Sequence, residues 1–315
     1  MTHKNSALDD LDLMLVKELG ADARQSSRRI AKKLGLTPPT IQRRLERLIN
    51  EDILAVVAMP APAVLGFNTR VIFRIRVAAG KSATVVEHLK PCPDILNIIL
   101  TAGRYDIMAF GLFRSLEEQI SFMDRELGRV PYLVGVDPLT QVTPFVKDSW
   151  IYLQPRARTK EGSPHHRLDD MDLKLIGELE LRPRDSIVNL AKRLEMNRKA
   201  TSARLRTLLD ANIIKVVSVA NPSYFGYGVQ TGIFLRANFG KIRSVANALA
   251  ADNRVLHVAI LAGKFNIYAW TIFRDLADMY SFTTEGLGAI PGIAEFETMI
   301  LVRAAKHSYG LVSTR

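Results

Sequence analysis

The chain has 315 residues, 48% of them hydrophobic and 24% charged, which is typical of globular proteins rather than disordered ones. The lone cysteine, Cys92, excludes an intrachain disulfide and fits a reducing compartment. No signal-peptide core or bilayer-spanning apolar stretch is present, so we expect a cytoplasmic protein without a membrane partner. The net charge of +11 indicates a polyanionic partner.

The chain contains one arrangement twice. A shift of 160 positions carries residues 8–12 (LDDLD) onto residues 168–172 (LDDMD), and Gly66 onto Gly226. No gap is needed over about 120 positions. This period is too long for a solenoid repeat and indicates a duplicated set of domains.

Each half begins with a helical region, residues 8–58 and 168–218. Leu11, Leu15 and Leu19 recur at four-residue spacing and predict the first helix. Acidic residues at its start are expected to cap it and to meet the positive end of the helix dipole. A second, short and basic helix follows in both copies.

A tight turn precedes the third helix of each half. We expect this helix to begin at an N-cap, Thr37 or Asn197, and to end near Asp52 or Asn212, which accept the left-handed conformation. Three helices with a tight turn before the third form a helix-turn-helix pattern. The segment from Arg24 to Arg47 contains eight basic residues and one acidic residue, which is typical of a polyanion-binding surface.

The second part of each half, residues 64–147 and 224–307, alternates strands and helices. In the first copy the predicted elements are strand 71–78, helix 82–89, strands 95–102 and 105–113, helix 116–127 and strand 134–142. The order βαββαβ is that of a ferredoxin-like domain. Residues 154–167 are rich in Pro, Gly, Ser, Arg and His and are interpreted as a linker.

Several short motifs occur in a fixed order: Ile30-Ala31-x-x-Leu34-Gly35-Leu36-Thr37, Arg44-Leu45-x-x-Leu48, Leu65-Gly66-Phe67 and Gly103-Arg104-Tyr105-Asp106. With this spacing the chain resembles the Lrp/AsnC family of transcriptional regulators. The resemblance implies a winged helix-turn-helix that binds double-stranded DNA, joined to a βαββαβ domain that senses an amino acid-like effector. Family members dimerise through these sheets, so this chain resembles a fused dimer, and homo-oligomers of such pseudo-dimeric chains are expected. No cofactor is implied.

The predicted fold class is therefore α+β, with two copies of a winged helix-turn-helix followed by a ferredoxin-like βαββαβ domain. The predicted segments are 1–60 (winged helix-turn-helix), 61–150 (effector and dimerisation domain), 151–167 (linker), 168–220 (second winged helix-turn-helix) and 221–315 (second βαββαβ domain).

On the third helix, Ile41, Leu45 and Leu48 share one side and must face the core. The opposite arc includes Arg43, which is early enough in the helix to contact a base, with Thr40 beside it. Arg47 and Lys33 suit phosphates, whereas Arg44 suits a phosphate or an intradomain pair. The predicted DNA-contacting residues are Thr37, Pro39, Thr40, Arg43, Arg44, Arg47, Lys33, Asn197, Arg198, Lys199, Arg204 and Arg206.

The second copy differs on this arc, because Ala203 and Thr207 replace Arg43 and Arg47. Two hypotheses follow: an operator with unequal halves, or one specific reader combined with one phosphate anchor.

The loop at Gly103 joins two strands, and the carboxylate of Asp106 could meet an amine. In the second copy Asn266 replaces this carboxylate, so the first copy is the predicted amine binder. The alternative is a structural turn in both copies. The predicted effector-binding residues are Gly103, Tyr105, Asp106, Gly263 and Asn266.

Two other function classes remain open. Sirohaem decarboxylases share this two-part fold, and His257, Phe265-Asn266 and Trp270-Thr271 are similar to their motif. The Arg-Arg pair that those enzymes carry after the third helix is absent, since the chain reads Ile53-Leu54-Ala55-Val56 there. A metabolite-binding or scaffold protein is the third class. Cys92 is interpreted as inert, His165-His166 as solvated linker, and His257 as packed in a core or interface.

Overall fold

The computed structural model describes residues 8–142, 147–148, 168–308 and 310–313. The predicted linker and His165-His166 lie outside these residues. The chain divides into two compact units, and each contains parts of both sequence copies. The helical unit comprises Met1–Leu65, Ser149–Gly226 and Tyr309–Arg315, and the sheet unit comprises Gly66–Asp148 and Tyr227–Ser308.

In the helical unit each copy has three helices and one strand. These are α1 (Asp10–Ala21), α2 (Ser27–Leu34), α3 (Pro38–Asn50) and β1 (Leu54–Pro60), and α6 (Asp170–Leu181), α7 (Ile187–Arg193), α8 (Arg198–Asp210) and β7 (Ile214–Ala220). Asp9 closes a capping box on α1, as its repeat partner does on α6. The predicted N-caps Thr37 and Asn197 are confirmed. Asp52 and Asn212 adopt φ of 55° and 54°, the predicted left-handed conformation.

The strands β1 and β7 pair with each other in an antiparallel ladder centred on Val57 opposite Val217. These two residues differ by the repeat offset, so a pseudo-twofold axis passes through the pair. Each strand also completes the other copy's core. Ala220 is buried in the core of the first helix-turn-helix, and Ala58 in the core of the second.

In the sheet unit each copy has the order βαββαβ, as predicted. The elements are β2 (Thr69–Val77), α4 (Ser82–Leu89), β3 (Ile95–Ala102), β4 (Ile107–Phe113), α5 (Leu116–Arg125), β5 (Leu133–Gln141) and β6 (Lys147–Asp148), then β8 (Val229–Ala237), α9 (Ile242–Ala251), β9 (Val255–Ala262), β10 (Ile267–Phe273), α10 (Leu276–Ser281) and β11 (Ile293–His307).

Several predicted boundaries differ from the observed ones by one or two residues. The strand predicted from Tyr105 begins at Ile107, because the Thr101 amide bonds to the carbonyl of Asp106 and places residues 102–106 in a turn. The helix predicted to run to residue 127 ends at Arg125, and a short 3₁₀ turn follows.

The strands of both copies form one closed antiparallel sheet. Around it the order is β10-β8-β11-β3-β4-β2-β5-β9, and β9 pairs again with β10, so eight strands make a barrel. The C-terminal strands of each copy pair with the other copy: β11 with β3, and both β5 and the short β6 with β9. Helices cover two outer cores, while a third core fills the interior. No helix in the described parts of the chain has the length and apolarity needed to cross a bilayer.

Candidate nucleic-acid interface and sensing interior

The third helix of the first copy, α3, presents the face that the sequence predicts. Ile41, Leu45 and Leu48 are buried in the first helical core. On the opposite side Pro39 and Arg43 are exposed. The N-cap orders the start of the helix, since the hydroxyls of Thr37 and Thr40 lie 2.8 Å apart. The helix therefore offers an ordered N-terminal turn with a polar outer face.

The arginines of α3 have different surroundings. Arg44 lies 2.6 Å from the Asp9 carboxylate and 2.9 Å from that of Asp12, and Arg47 also pairs with the buried Asp12. The Asp12 amide and the Arg44 guanidinium hold the pKa of Asp9 below its usual value. Arg43 is exposed and forms no ion pair or hydrogen bond with any residue in the described ranges. Of the three, Arg43 is the guanidinium available to an outside partner.

The second copy repeats only part of this arrangement on α8. Arg204 lies 2.7 Å from the carboxylates of both Asp169 and Asp172, which matches Arg44. Thr207, in the place of Arg47, instead donates its hydroxyl to the Ala203 carbonyl at 3.1 Å. The predicted contact residues Arg198, Lys199 and Arg206 are all exposed.

The predicted phosphate contact Lys33 is exposed at the end of α2, and its ammonium lies 2.6 Å from the Glu18 carboxylate. The equivalent Arg193 of α7 pairs with Glu178 at 2.5 Å. Because the Lys33 pair is exposed and therefore weak, Lys33 can exchange Glu18 for a phosphate. Arg193 also pairs with Asp185 and is held by two carboxylates.

Two arginines join the helix-turn-helix halves in a reciprocal contact that sequence reasoning missed. Arg24 donates to the carbonyls of Pro183 and Asp185, and Arg184 donates to those of Ala23 and Gln25. Burial lowers the pKa of both guanidiniums. We call this pair the arginine clamp. Its one sequence signal is an arginine at both repeat positions, 24 and 184.

The predicted effector loop is held by backbone bonds in both copies. The Asp106 carboxylate accepts a hydrogen bond from the Val77 amide at 2.9 Å. The amide oxygen of Asn266 accepts the equivalent bond from Ala237 at 2.8 Å. This shared bond gives both residues the same role in the turn and occupies one oxygen, Oδ2, of the Asp106 carboxylate.

The glycines of the two loops adopt a conformation that favours glycine, with φ of 139° at Gly103 and 143° at Gly263. A Cβ at Gly103 would lie 3.3 Å from the Thr298 carbonyl oxygen, and one at Gly263 would lie 2.5 Å from Leu139 Cδ2. Each loop therefore lies against a strand of the other copy, β11 for Gly103 and β5 for Gly263. A Cβ at Gly103 would crowd a backbone carbonyl, whereas one at Gly263 would displace only the end of a leucine side chain.

A fully buried arginine lies in the barrel interior. Arg74 pairs with the carboxylates of Asp137 and Glu297, the latter at 3.3 Å. Its guanidinium carbon lies 4.4 Å from the ring centre of Tyr105 and 4.7 Å from that of Phe234. We call these residues the interior arginine cluster. It links carboxylates of both copies through a single cation.

Tyr105, a predicted effector residue, belongs to this cluster. Its hydroxyl donates to Asp137 at 3.1 Å, and burial raises the pKa of the phenol. The sequence offered no signal for the cluster, because β2 carries three arginines and nothing marks Arg74 as the buried one. Elsewhere in the interior, His257 stacks on Trp270 with ring centres 5.0 Å apart. Cys92 is half-buried, and burial raises the pKa of its thiol, which disfavours the reactive thiolate.

Comparison with known proteins identifies the class. The profile of the AsnC-type helix-turn-helix domain matches residues 8–49, that of the Lrp/AsnC ligand binding domain matches 232–311, and that of a winged helix-turn-helix DNA-binding domain matches 168–215. The fold and these matches define a DNA-binding transcriptional regulator.

Similar proteins define the family. The chain is 31% identical over 130 residues to the HTH-type transcriptional regulator FL11 of Pyrococcus abyssi, an alignment covering 41% of this chain and 85% of that one. It is 27% identical over 121 residues to the HTH-type transcriptional regulator Ptr1 of Methanocaldococcus jannaschii, covering 38% of this chain and 82% of the other. The chain belongs to the Lrp/AsnC family, and its resemblance to that family is confirmed.

A solved structure is similar over nearly the full length. The siroheme decarboxylase NirDL has a TM-score of 0.66, with 96% of both chains covered and 13% identity. At this identity the likeness concerns the fold alone. The relatives found by sequence are named as regulators, so the decarboxylase alternative is not adopted.

Proposed function

We propose that this DNA-binding regulator is controlled by a small-molecule effector, an amino acid or a related metabolite, bound by its sheet unit. The match of the ligand binding domain profile to residues 232–311 supports this proposal. A mobility shift with the chain's own upstream DNA, with and without the twenty amino acids, tests it. The proposal requires that at least one amino acid changes the affinity for DNA, and no response to any would count against it.

For the DNA contacts, the proposal centres on Arg43. The observation that carries it is the contrast on α3, where Arg43 is exposed while Arg44 and Arg47 are tied to aspartates. An arginine in the N-terminal half of a recognition helix can donate two bonds to guanine. Apart from Arg44, Arg47 and Arg204, which pair with aspartates, the other polar predicted contacts are proposed to position the duplex through phosphates: Thr37, Thr40, Lys33, Asn197, Arg198, Lys199 and Arg206. Pro39 has no hydrogen-bond donor and is proposed to make only van der Waals contact with the duplex.

A pair of alanine variants separates base reading from phosphate contact. Arg43→Ala should lower affinity for the specific site by about tenfold or more and relax its sequence preference. Lys33→Ala should weaken binding to all sequences alike and reduce the salt dependence by about one counterion. Fluorescence anisotropy over a salt series measures both effects. An Arg43→Ala variant that keeps full preference would remove Arg43 from this role.

For the effector, the proposed contact is the loop of the first copy, where Asp106 carries a carboxylate. The second copy supplies the ideal control, since Asn266 makes the same backbone bond without a charge. Asp106→Asn should therefore keep the turn and remove only the charge. If the effector ammonium pairs with Asp106, its affinity measured by calorimetry should fall about tenfold or more. Unchanged affinity would leave the loop as a structural turn.

For assembly, we propose that chains associate through an apolar face of the sheet unit. Leu116 on α5 and Leu276 on α10 are 59% and 58% exposed, and they are repeat equivalents. Ile120 and Tyr280 form a second equivalent exposed pair at 58% and 69%. Large apolar side chains exposed at matching places favour self-association. Light scattering should give more than one chain for the wild type, and Ile120→Glu should reduce the mass. A strictly monomeric wild type would exclude this assembly.

A further inference from the structure

We propose that the operator of this regulator is not palindromic. The first helix-turn-helix reads bases through Gln42 and Arg43, and the second holds its half-site mainly through phosphate contacts by Lys199 and Arg206. This inference rests on the proposed DNA contacts and assigns a different task to each half of the interface.

The frame that carries the two recognition helices is nearly symmetric. The β1–β7 ladder is centred on the repeat-related pair Val57 and Val217. The Ala61 amide bonds to the Ile213 carbonyl at 2.7 Å, and the equivalent Asn221 amide bonds to Ile53 at 2.9 Å. These bonds and the arginine clamp are reciprocal, because each half donates to the other the same bonds that it accepts. Such a symmetric frame would suit a palindromic site if the two recognition helices carried the same outer side chains.

The two recognition helices also begin in the same way. Both α3 and α8 have 13 residues and an N-cap side chain that accepts from the third amide of the helix. The buried residues of the two helices lie at repeat-equivalent positions, where Thr201 of α8 replaces Ile41 of α3. Residues 160 apart therefore occupy the same places on the two outer faces.

At those places the side chains that can reach base edges differ. The first copy has two exposed residues, Arg43 and Gln42, and the Gln42 amide nitrogen donates to the exposed Glu46 carboxylate at 3.1 Å. The second copy has Ser202 and Ala203 there. Gln and Arg side chains can form bidentate bonds with adenine and guanine, respectively, in the major groove. Alanine offers no hydrogen bond, and a serine hydroxyl bonds without selecting a single base. At these two places base discrimination is therefore possible only in the first half, while Arg198 in the first turn of α8 is assigned to a phosphate as proposed above.

The cations of the second helix lie where they suit phosphates. Lys199 and Arg206 lie about one helical turn before and after Ala203 on its exposed face. Lysine binds phosphate as a point charge, and Arg206 lies beyond the N-terminal turns that usually contact bases. In the first copy these two places are occupied by Pro39 and Glu46, which offer no positive charge.

Charge on the preceding helices differs as well. Arg28 and Arg29 are exposed on α2, whereas the equivalent residues of α7 are Val188 and Asn189. Lys192 and Arg193 of α7 match Lys32 and Lys33 of α2, so the difference between these helices is the extra pair on α2, whose phosphate contacts leave α3 to contact bases. The second half has its extra cations, Lys199 and Arg206, on α8 itself, so its recognition helix is engaged at the backbone.

Selection of binding sites from random duplexes by the full chain tests the inference, with Arg43→Ala and Lys199→Ala as a matched pair. The wild type should select a sequence with strong preferences, including a guanine, in one half and weak preferences in the other. Arg43→Ala should flatten the strong half, with about tenfold or greater loss on the selected sequence. Lys199→Ala should weaken binding to selected and random duplexes alike and leave the consensus unchanged.

Both residues are exposed, so unchanged unfolding midpoints are expected and serve as the folding control. A consensus with equal preferences in both halves would overturn the inference, and so would a Lys199→Ala variant that alters bases in the second half. In either case the proposal of specific DNA contacts would stand. Absence of any preferred duplex would instead remove those contacts, and this inference with them.

Discussion

The two copies are alike where they contact each other and different where they face outward. Arg24 and Arg184 make equivalent bonds, and β1 and β7 pair about a shared centre. On the outer face of the recognition helices, by contrast, the residue equivalent to Arg43 is Ala203. Fusion explains the difference, because a substitution in a homodimer appears in both halves. A duplicated chain can keep the shared frame and change one reader at a time.

The barrel interior shows that fusion also permits asymmetry at a contact. Arg74 lies against the ring of Phe234, which is its own repeat equivalent. In a homodimer with arginine at this place, two guanidiniums would be adjacent in a buried site, which is unfavourable unless further anions are present. The fused chain has one cation between Asp137 and Glu297, one carboxylate from each copy.

We expect the largest loss of stability when this interior contact is removed. Arg74→Leu leaves Asp137 without its cation and Glu297 with only the more distant Arg104, at 3.9 Å, and should reduce the free energy of unfolding by about 3 kcal/mol. Arg76→Leu, two residues along the same strand but exposed, is the control and should change it by less than about 0.5 kcal/mol. Chemical denaturation measures both. Equal, small effects would show that the buried pairs contribute nothing to joining the copies.

The arginine clamp tests the symmetry of the frame. Arg24→Ala and Arg184→Ala each remove two hydrogen bonds from a charged donor, and each should cost about 2 kcal/mol of stability. The essential point is that the two costs agree, since the contacts are equivalent. A large loss for one variant and none for the other, in urea titrations, would contradict a symmetric frame.

A smaller effect distinguishes the two helix-turn-helix cores. The Asp12 carboxylate forms ion pairs with both Arg44 and Arg47. The Asp172 carboxylate pairs with Arg204, and a threonine occupies the position equivalent to Arg47. Asp12→Ala should therefore cost about 1 kcal/mol more than Asp172→Ala, measured as the difference in unfolding free energy. Because each aspartate also completes a capping box, that part of the cost is common to both variants. Identical losses would show that the Arg47 pair adds no stability.

The smallest effect concerns the loops of the sheet unit. Asp106→Asn should alter the free energy of unfolding by less than about 0.5 kcal/mol, because Asn266 shows that the amide supports the same turn. Asp106→Ala loses the bond to the Val77 amide and should cost about 1 kcal/mol. Thermal unfolding of both variants makes the comparison. A destabilised Asp106→Asn variant would mean that the charge itself holds the loop.

Local patterns predicted the helix-turn-helix elements well, because capping and helical periodicity act over a few residues. Thr37, Asn197 and the buried face at Ile41 and Leu45 are examples. The order of strands and helices in each sheet domain was predictable for the same reason. The regulator class followed from motif order, and comparison with relatives confirmed it.

Contacts between distant residues were not predictable. Arg74 and Glu297 are 223 positions apart, and nothing local marks them as partners. The closure of the barrel depends equally on pairing between copies. For Arg47 the helical periodicity correctly placed the Cβ on the outer arc, but the long side chain reaches back to the buried Asp12. Periodicity locates the start of an arginine side chain and not its charged end.

The most direct test of unequal readers is to make them equal. Ser202→Gln combined with Ala203→Arg gives the second helix the pair found in the first, within the same frame. Dissociation constants are then compared for the selected operator and for a palindrome of its strong half. The wild type should bind both about equally, and the double variant should prefer the palindrome by about tenfold or more. A wild type that already prefers the palindrome by that factor would contradict the account.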